Sequence, residues 1–477
     1  MRNAVQLYLN GRRVEASGDA AFLTLSDWLR DERRLTGTKV VCAEGDCGAC
    51  TVLLGRPDGD RHWRFDPVNA CILGLAQLDG THVVTIESVA TPDGLHPLQA
   101  ALRDNHASQC GFCTPGFVMA LLGHFEHHGT CTPREAKNHT TGNLCRCTGY
   151  QTIVDAAVAV REPPPVVPRY HTNAVAQELV AVRSEPLELH SSTHGRVHAP
   201  SDLAQLLALR AAHPDARLVA GNTDLGVVVN KGTLWPPGSP RHAIVTAKVP
   251  ELCGVRWDGD VVVVGANATL GEVERAVYDR IPELSRLLRV FASPQIKAVA
   301  TLVGNVANGS PIGDTLPALL ALDAEVQIQS VTGSRVLPLS ELYVGYRNLA
   351  LDRSELLTAV RIPAPVPNTL FSAVKVCQRK DLDISFVGAA FRLERDDVGR
   401  ITDARVAYGG VGPTAARLPA IEALLVGQRV EDSVDVVATA IEAEITPRSD
   451  VRGSAEGRRV LAGNLYRRFA LAHTAPS

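Results

Sequence analysis

Three cysteines on one short loop, Cys42, Cys47 and Cys50 in C-x4-C-x2-C spacing, constrain this chain most, together with Cys71 after room for one strand and a return. This is the spacing of a plant-type [2Fe–2S] centre. Gly45 and Gly48 within the loop permit backbone conformations that a side chain would forbid, and let peptide N–H groups approach bridging sulfides. A disulfide suits the loop poorly, because Cys47 and Cys50 would close a very small ring and the chain shows no secretory context. Zinc is the competing assignment. Structural zinc sites usually pair two C-x2-C-type knuckles, whereas here one loop supplies three ligands.

At 477 residues, the length suggests about three domains. A net charge of −3 offers no large basic face for nucleic acid or an anionic membrane. No apolar run approaches the roughly 18 residues that span a bilayer. The opening Met-Arg-Asn-Ala-Val-Gln-Leu-Tyr lacks the order of a signal peptide and reads as a strand. A cytoplasmic protein is expected. Of the eleven cysteines, eight fall in groups between Cys42 and Cys147, which in a reducing cytosol favours metal ligation. Cys131, Cys253 and Cys377 are left over and read as small core residues.

Residues 4–9 and 12–16 alternate apolar and polar about Asn10-Gly11, a strong hairpin signal. A helix over about 25–33 follows, with Thr24 or Ser26 as cap and Leu25, Trp28 and Leu29 as its apolar face. Then come the cysteine loop, a strand at Thr51–Leu54, a turn through Pro57-Asp58-Gly59, Cys71, and a strand at Thr81–Ile86. A small sheet crossed by one helix is expected. Helices over about 96–105, 114–127, 133–139 and 149–159 should close into a bundle, with Pro97 at a first helical position and Thr132-Pro133-Arg134-Glu135 as a capping sequence.

Two further cysteine pairs, Cys110/Cys113 and Cys145/Cys147, stand at helix starts in this bundle, where free N–H groups and the helix dipole favour thiolates. A second cluster between them is expected. Zinc is again the alternative, although C-x-C holds two sulfurs closer than the usual knuckle; a redox dithiol at Cys110 and Cys113 would leave Cys145 and Cys147 unexplained. His124, His127 and His128 read as a solvated helix end.

Arg161–Pro168 is proline-rich and marks a stiff linker continuing irregularly to about residue 190. Beyond it helices and strands alternate. Ser201 can cap a helix through Ala212, and a strand at Arg217–Ala220 ends in Gly221-Asn222-Thr223-Asp224, a turn whose successive N–H groups could hold phosphate. A second small-residue loop runs from Gly304 to Asp314, so a diphosphate held by the two is suggested. Neither is a G-x-G-x-x-G opening a helix, and a Rossmann site is not supported. Strands at Ser372–Cys377, Phe386–Leu393 and Ala404–Tyr408, a turn at Gly409–Pro413 and a helical tail form a last α+β unit.

The cysteine loop, the segment QCGFCTPG at 109–116 with CRCTGY at 145–150, and the two small-residue loops resemble the xanthine dehydrogenase family of molybdenum hydroxylases, specifically the iron–sulfur/FAD small subunit of its two-subunit bacterial members. The resemblance covers nearly the whole chain. It implies an α+β multidomain protein: a β-grasp plant-type ferredoxin domain (1–88), a four-helix-bundle [2Fe–2S] domain (89–160), a Pro-rich linker (161–194), a vanillyl-alcohol-oxidase-like FAD domain (195–366) and an α+β C-terminal flavoprotein subdomain (367–477).

By that resemblance Cys42, Cys47, Cys50 and Cys71 hold the cluster nearer the flavin. Cys110, Cys113, Cys145 and Cys147 hold the one nearer molybdenum, with Gln109 close to the pterin. Flavin contacts fall on Leu218, Val219, Ala220, Gly221, Asn222, Thr223, Asp224 and Leu225, on Phe291, on Thr301, Gly304, Asn305, Asn308 and Asp314, and on Lys375. Leu382-Asp383 departs from the paired acidic residues of many relatives. The resemblance further implies a large molybdopterin-binding partner subunit in an (αβ)2 heterotetramer, NAD⁺ as electron acceptor, and purine oxidation. No general acid or base is nominated in this chain. Two other readings stand beside this one: the small subunit of a molybdenum hydroxylase acting on an aldehyde or another N-heterocycle, and a stand-alone NADH-oxidising flavin/iron–sulfur reductase.

Overall fold

The computed structural model describes residues 2–57, 63–236 and 239–474, so Asp58 and Gly59 of the expected turn lie outside the described residues. It divides into two compact units, Met1–Glu251 with Ala292–Ala300, and Leu252–Phe291 with Thr301–Ser477.

The first unit opens with the hairpin β1 (Ala4–Leu9) and β2 (Arg12–Ser17), in which Ala4 faces Ser17 and Leu9 faces Arg12. Asn10 and Gly11 both take positive φ, 50° and 78°, the backbone a two-residue hairpin requires. Thr24 accepts the Asp27 N–H and caps α1 (Leu25–Asp27), which continues as a π-helical turn through Glu32. Strands β3 (Thr51–Pro57), β4 (Trp63–Asn69) and β5 (His82–Val84) complete a sheet of order β2-β1-β5-β3-β4 with β1 and β5 parallel. One helix crossing such a mixed sheet is the β-grasp arrangement. The last strand is shorter than the expected 81–86.

Helices α2 (Pro97–Asp104), α3 (Thr114–Phe125), α4 (Pro133–His139) and α5 (Gln151–Ala159) form the bundle. Thr132 and Glu135 close the capping box reciprocally at the start of α4. Helix α3 is buried nearly all round, so its apolar residues serve both the bundle and the neighbouring sheet residues Leu53 and Phe65.

The expectation of an irregular linker to about residue 190 is corrected here. Thr172 caps a helix, α6 (Asn173–Ser184), whose Val175 and Leu179 bury against Tyr8 four residues apart, on one helical face. Strand β6 (Leu187–Ser191) follows directly. Tertiary burial overrides the proline signal upstream. With β7 (Gly195–Ala199), helix α7 (Leu203–Ala212), β8 (Arg217–Val219), helix α8 (Leu225–Asn230) and β9 (Arg241–Val245), it builds a sheet of order β6-β7-β9-β8, in which β7, β9 and β8 are parallel. Asp202, rather than Ser201, caps α7. Leu187, Leu189, Val197, Val219 and Val245 of this sheet share one core with Leu7, Trp28, Leu29 and Ile72 of the first. Within the first unit, the residues before and after the proline-rich stretch therefore share one packed core.

In the second unit an antiparallel sheet runs in the order Val255–Asp258, Val261–Gly265, Leu356–Pro363, Glu325–Ser330, Gly333–Pro338. A meander of Leu370–Val376, Val387–Arg395 and Ile401–Gly409 is covered by the helices Val430–Glu444 and Ala455–Thr474; in its core Phe391 stacks on Phe469 and meets Tyr408 and Tyr466 edge to face. The expected loop from Gly304 to Asp314 is corrected in its first half: Thr301 caps a helix, Leu302–Asn308, ended by Gly309 at φ 56°. Cys131 is buried as expected, but Cys253 is exposed and Cys377 partly so. His124 is buried, with Nε2 beside the Thr130 carbonyl oxygen at 2.8 Å, whereas His127 and His128 are the solvated end. No helix among the described residues is long and apolar enough to cross a membrane.

Candidate cofactor-binding sites

The loop at residues 42–50 is shaped by Ala43, Gly45 and Gly48, all at positive φ. This curl turns the Glu44 and Asp46 N–H groups onto Cys42 Sγ, at 3.3 and 3.4 Å. The Cys42 thiol is hydrogen-bonded to those of Cys47 and Cys71, and the Cys50 thiol to that of Cys71. Those bonds push Cys42 and Cys50 below the ordinary thiol range and raise Cys47 and Cys71, the partners that supply the protons. Cys47, Cys50 and Cys71 are buried, and Cys42 is half-buried. Four soft donors converging with backbone N–H groups fit an anionic iron–sulfur cluster.

The second group is assembled at the starts of α3 and α5. Cys147 Sγ lies 3.7 Å from Cys110 Sγ, and the Cys113 and Cys145 thiols are hydrogen-bonded. The N–H groups of Cys147 and Thr148 both reach Cys145 Sγ at 3.4 Å. Burial opposes ionisation of Cys145, but hydrogen bonds from the Thr148 hydroxyl and these N–H groups bring it down to about 7, while burial raises Cys113 to about 12. Cys110 and Cys147 are exposed, among the exposed side chains Phe112, Leu144 and Tyr150.

The two thiol groups touch through backbone. The Leu144 N–H, one residue before Cys145, donates to the Cys47 carbonyl at 2.9 Å. A Cβ on Gly48 would stand 2.2 Å from the Gly142 carbonyl oxygen, and one on Gly116 would stand 2.2 Å from the Gly48 carbonyl oxygen. Only glycine permits this approach at positions 48 and 116.

Strand β8 delivers the first small-residue turn. A Cβ on Gly221 would lie 2.0 Å from the Val299 carbonyl oxygen, and Asn222 takes φ 61°. The N–H groups of Gly221, Asn222, Thr223 and Asp224 donate to no group among the described residues. Four free donors on one turn fit an anionic ligand such as a diphosphate. The turn is fastened to the chain around Cys71: Asn222 Nδ2 donates to the Ile72 carbonyl at 2.7 Å, and Gln77 Nε2 to the Ala220 carbonyl at 2.8 Å. Asn230, at the end of α8, donates to the carbonyls of both Ala43 and Cys71 at 2.8 Å. Sequence reasoning missed these side-chain clamps, because nothing in a lone Asn or Gln shows which carbonyl it will meet.

In the second unit Thr301, Gly304, Asn305 and Asn308 recur at helical spacing and share one face of Leu302–Asn308. The Thr301 hydroxyl accepts the Gly304 N–H at 3.0 Å, and Asn305 Oδ1 accepts the Thr315 hydroxyl at 2.6 Å. Asp314 Oδ2 is 2.6 Å from Lys375 Nζ, and its other oxygen accepts the Ser385 hydroxyl. Burial raises the Asp314 carboxyl while Lys375 opposes that rise. Lys375 Nζ also reaches the Phe291 carbonyl at 3.4 Å, so Phe291, Asp314 and Lys375 come together. A helix face with no large side chain beside an ion pair fits a flat, anionic ligand.

Three family descriptions match: "[2Fe-2S] binding domain" over residues 85–158, "FAD binding domain in molybdopterin dehydrogenase" over 191–365, and "CO dehydrogenase flavoprotein C-terminal domain" over 372–473. The chain is 32% identical to a xanthine dehydrogenase of Drosophila pseudoobscura pseudoobscura over 89% of its own length and 36% of that protein's. It is 31% identical to aldehyde oxidase 4 of Cavia porcellus over 90% of its own length and 36% of that protein's. It thus spans little more than a third of the curated relatives it matches. Among solved structures, a chain of the Cu,Mo-CO dehydrogenase in its cyanide-inactivated form superposes with a TM-score of 0.53 at 30% identity, covering 57% of this chain and 94% of that one. With [2Fe–2S]-binding and FAD-binding domains in one polypeptide, the chain belongs to the molybdenum hydroxylase family, as an iron–sulfur and FAD-binding member.

Proposed function

We propose that this chain is the electron-transfer subunit of a xanthine dehydrogenase. In this reading it carries electrons from a partner's molybdenum centre through two [2Fe–2S] clusters to FAD and on to NAD⁺. The oxidation of a purine C–H to C–OH with oxygen from water releases two electrons and two protons, and NAD⁺ takes up both electrons with one proton. Bound clusters would supply one-electron carriage, and bound flavin would supply the exchange between one and two electrons.

The observation that carries this reading is the continuity of contacts in the first unit. The Leu144 N–H reaches the Cys47 carbonyl between the two thiol groups, and Asn222 and Asn230 tie the small-residue turn to Ile72 and Cys71. Cys42, Cys47, Cys50 and Cys71 would hold the inner cluster. Cys110, Cys113, Cys145 and Cys147 would hold the outer one, where exposed Phe112, Leu144 and Tyr150 suit a large molybdopterin-binding partner. Residues 218–225 and Thr301, Gly304, Asn305, Asn308, Asp314, Lys375 and Phe291 would contact FAD. The residues of this chain bury, space and hydrogen-bond the carriers, and none is assigned acid–base work. The 31% identity to an aldehyde oxidase supports a second reading, in which the partner oxidises an aldehyde or another heterocycle.

The test is to count iron, molybdenum and FAD in protein purified from its native source with any copurifying chain, then to assay xanthine-dependent NAD⁺ reduction. Four irons, one FAD and one molybdenum per copy, with NAD⁺ reduced, are expected. Activity on aldehydes alone would favour the second reading. No molybdenum and no partner, with NADH oxidised by external acceptors, would favour a stand-alone reductase, and zinc in place of iron would overturn the cluster assignment.

A further inference from the structure

The sheet of order β6-β7-β9-β8 gathers three histidines that no part of the electron-transfer reading uses. His198 lies on β7, His242 on β9, and His213 caps the C-terminal end of α7, the helix packed on β9. Parallel pairing sets His198 against Ile244 and Arg196 against His242, so the two strand histidines are diagonal neighbours on one face. The His198 and His213 rings stack at 5.1 Å, and the His213 and His242 rings meet edge to face at 4.8 Å. One ring nitrogen from each lies within 4.8 Å of the other two.

Their hydrogen bonding is anomalous. His198 is 96% buried, and its Nε2 and that of His242 are buried with no hydrogen-bond partner among the described residues. A buried ring nitrogen without a partner costs about 1–3 kcal/mol, and two of the three clustered histidines carry one. Burial also holds His198, down to about 4, and His242 below the ordinary range, with Arg196 and His213 adding to the effect and Glu188 and Asp215 opposing it. Burial thus favours the neutral form of His198 and His242, which is the form that ligates metal. His213 and His242 remain half-exposed, which leaves an entry path.

We propose that His198, His213 and His242 bind one divalent transition-metal ion, zinc foremost, through three imidazoles with a solvent-side position left for water. An all-imidazole donor set suits zinc, copper or nickel and is wrong for magnesium or calcium. At zinc–nitrogen distances of about 2.0–2.1 Å, tetrahedral ligand atoms stand about 3.3 Å apart. The nitrogens must therefore draw in by at most about 1.5 Å from the present 4.8 Å limit, within reach of side-chain adjustment. The carbonyl end of α7 adds a partial negative charge beside the ion. A second group, His124, Cys131 and Glu135, is already committed, with His124 Nε2 on the Thr130 carbonyl and Glu135 in its capping box. The bound ion would tie the end of α7 to the sheet that supplies the turn at 220–224.

The test uses the purified protein with its own cofactors, oxidised, stripped of loose metal with EDTA and titrated with Zn²⁺ by calorimetry at pH 7. One equivalent is expected, and the loss of one ligand in His213→Ala or His242→Gln should weaken binding by more than about 100-fold, with iron and flavin content unchanged. In parallel, one equivalent of Cu²⁺ added to the unmodified oxidised protein should give an electron paramagnetic resonance signal split by three imidazole nitrogens, a readout that does not depend on any variant folding. Zn²⁺ binding unaltered in both variants, no binding at 100 µM, or fewer than three coupled nitrogens would each overturn the site.

Discussion

Asp79→Ala probes the joint that makes the first unit one body. Asp79 is fully buried and accepts both Arg2 amino groups at 2.9 and 2.6 Å, the Lys248 ammonium at 2.7 Å and the Gln6 N–H at 2.9 Å. The Lys248 side chain is as inaccessible as that of Asp79. Removing one partner of such a pair leaves an uncompensated buried charge, which costs about 3–5 kcal/mol. The same change orphans the Gln6 N–H, worth about 1–3 kcal/mol. We therefore expect a loss near 5 kcal/mol, or roughly 10–20 °C in the midpoint of a unit this size. Burial already holds the Lys248 ammonium below its ordinary range, and without Asp79 the largest opposing interaction is gone.

The consequence reaches the turn at residues 221–224, proposed above to hold FAD, because Thr246, two residues before Lys248, donates its N–H to the Val219 carbonyl at the end of β8. Thermal unfolding followed through visible circular dichroism of the clusters, with flavin release followed by fluorescence, reads both effects. Asp79→Ala/Lys248→Met removes the stranded ammonium and should recover part of the loss, since replacing a buried pair by apolar groups is close to neutral. A midpoint within about 3 °C of the unmodified protein, or a double variant no better than the single one, would refute the reasoning.

Cys147→Ser, in the exposed thiol pair, should remove one of two cluster signals and leave flavin content intact. Cys71→Ser should lower both cluster and flavin content, because Asn230 and Asn222 hold the Cys71 and Ile72 carbonyls, and equal flavin retention in the two variants would contradict that link. Asn222→Asp keeps a residue tolerant of φ 61° but sets a carboxylate oxygen 2.7 Å from the Ile72 carbonyl, a loss of about 2–4 kcal/mol. Flavin occupancy should fall, and unchanged occupancy would take this turn out of the flavin site. His82, fully buried with Nδ1 3.0 Å from His171 Nδ1, is held down to about 3 by burial, with His171 adding to it. Because the unfolded chain takes up that proton first, the stability from neutral His82 is present above about pH 6.5 and lost as pH falls toward 3. From pH 6.5 to 4.5 the loss is about 2–3 kcal/mol, and urea midpoints for the unmodified protein and His82→Gln over that range should converge at the lower pH.

What the sequence alone determined lies where the physics is local. The Asn10-Gly11 turn, the Thr132–Glu135 capping box and the proline at the start of α2 act over a few residues, so the hairpin and the four helices stand close to their expected bounds. The eight cysteines converge as two groups of four because loop spacing and helix starts limit where thiols can point.

Tertiary structure alone decided what depends on surfaces meeting. Helix α6 forms where prolines upstream suggested an irregular linker, because Val175 and Leu179 find Tyr8 to bury against. The second small-residue segment begins as a helix because Thr301 caps it, and this puts Thr301, Gly304, Asn305 and Asn308 on one face instead of along a loop. The contact of Gly48 with Gly116 and Gly142, the Asp79 joint and the triad of His198, His213 and His242 pair residues tens to more than a hundred positions apart. Each of these residues carries an unremarkable local signal, and its partner is set only by how sheets and helices stack.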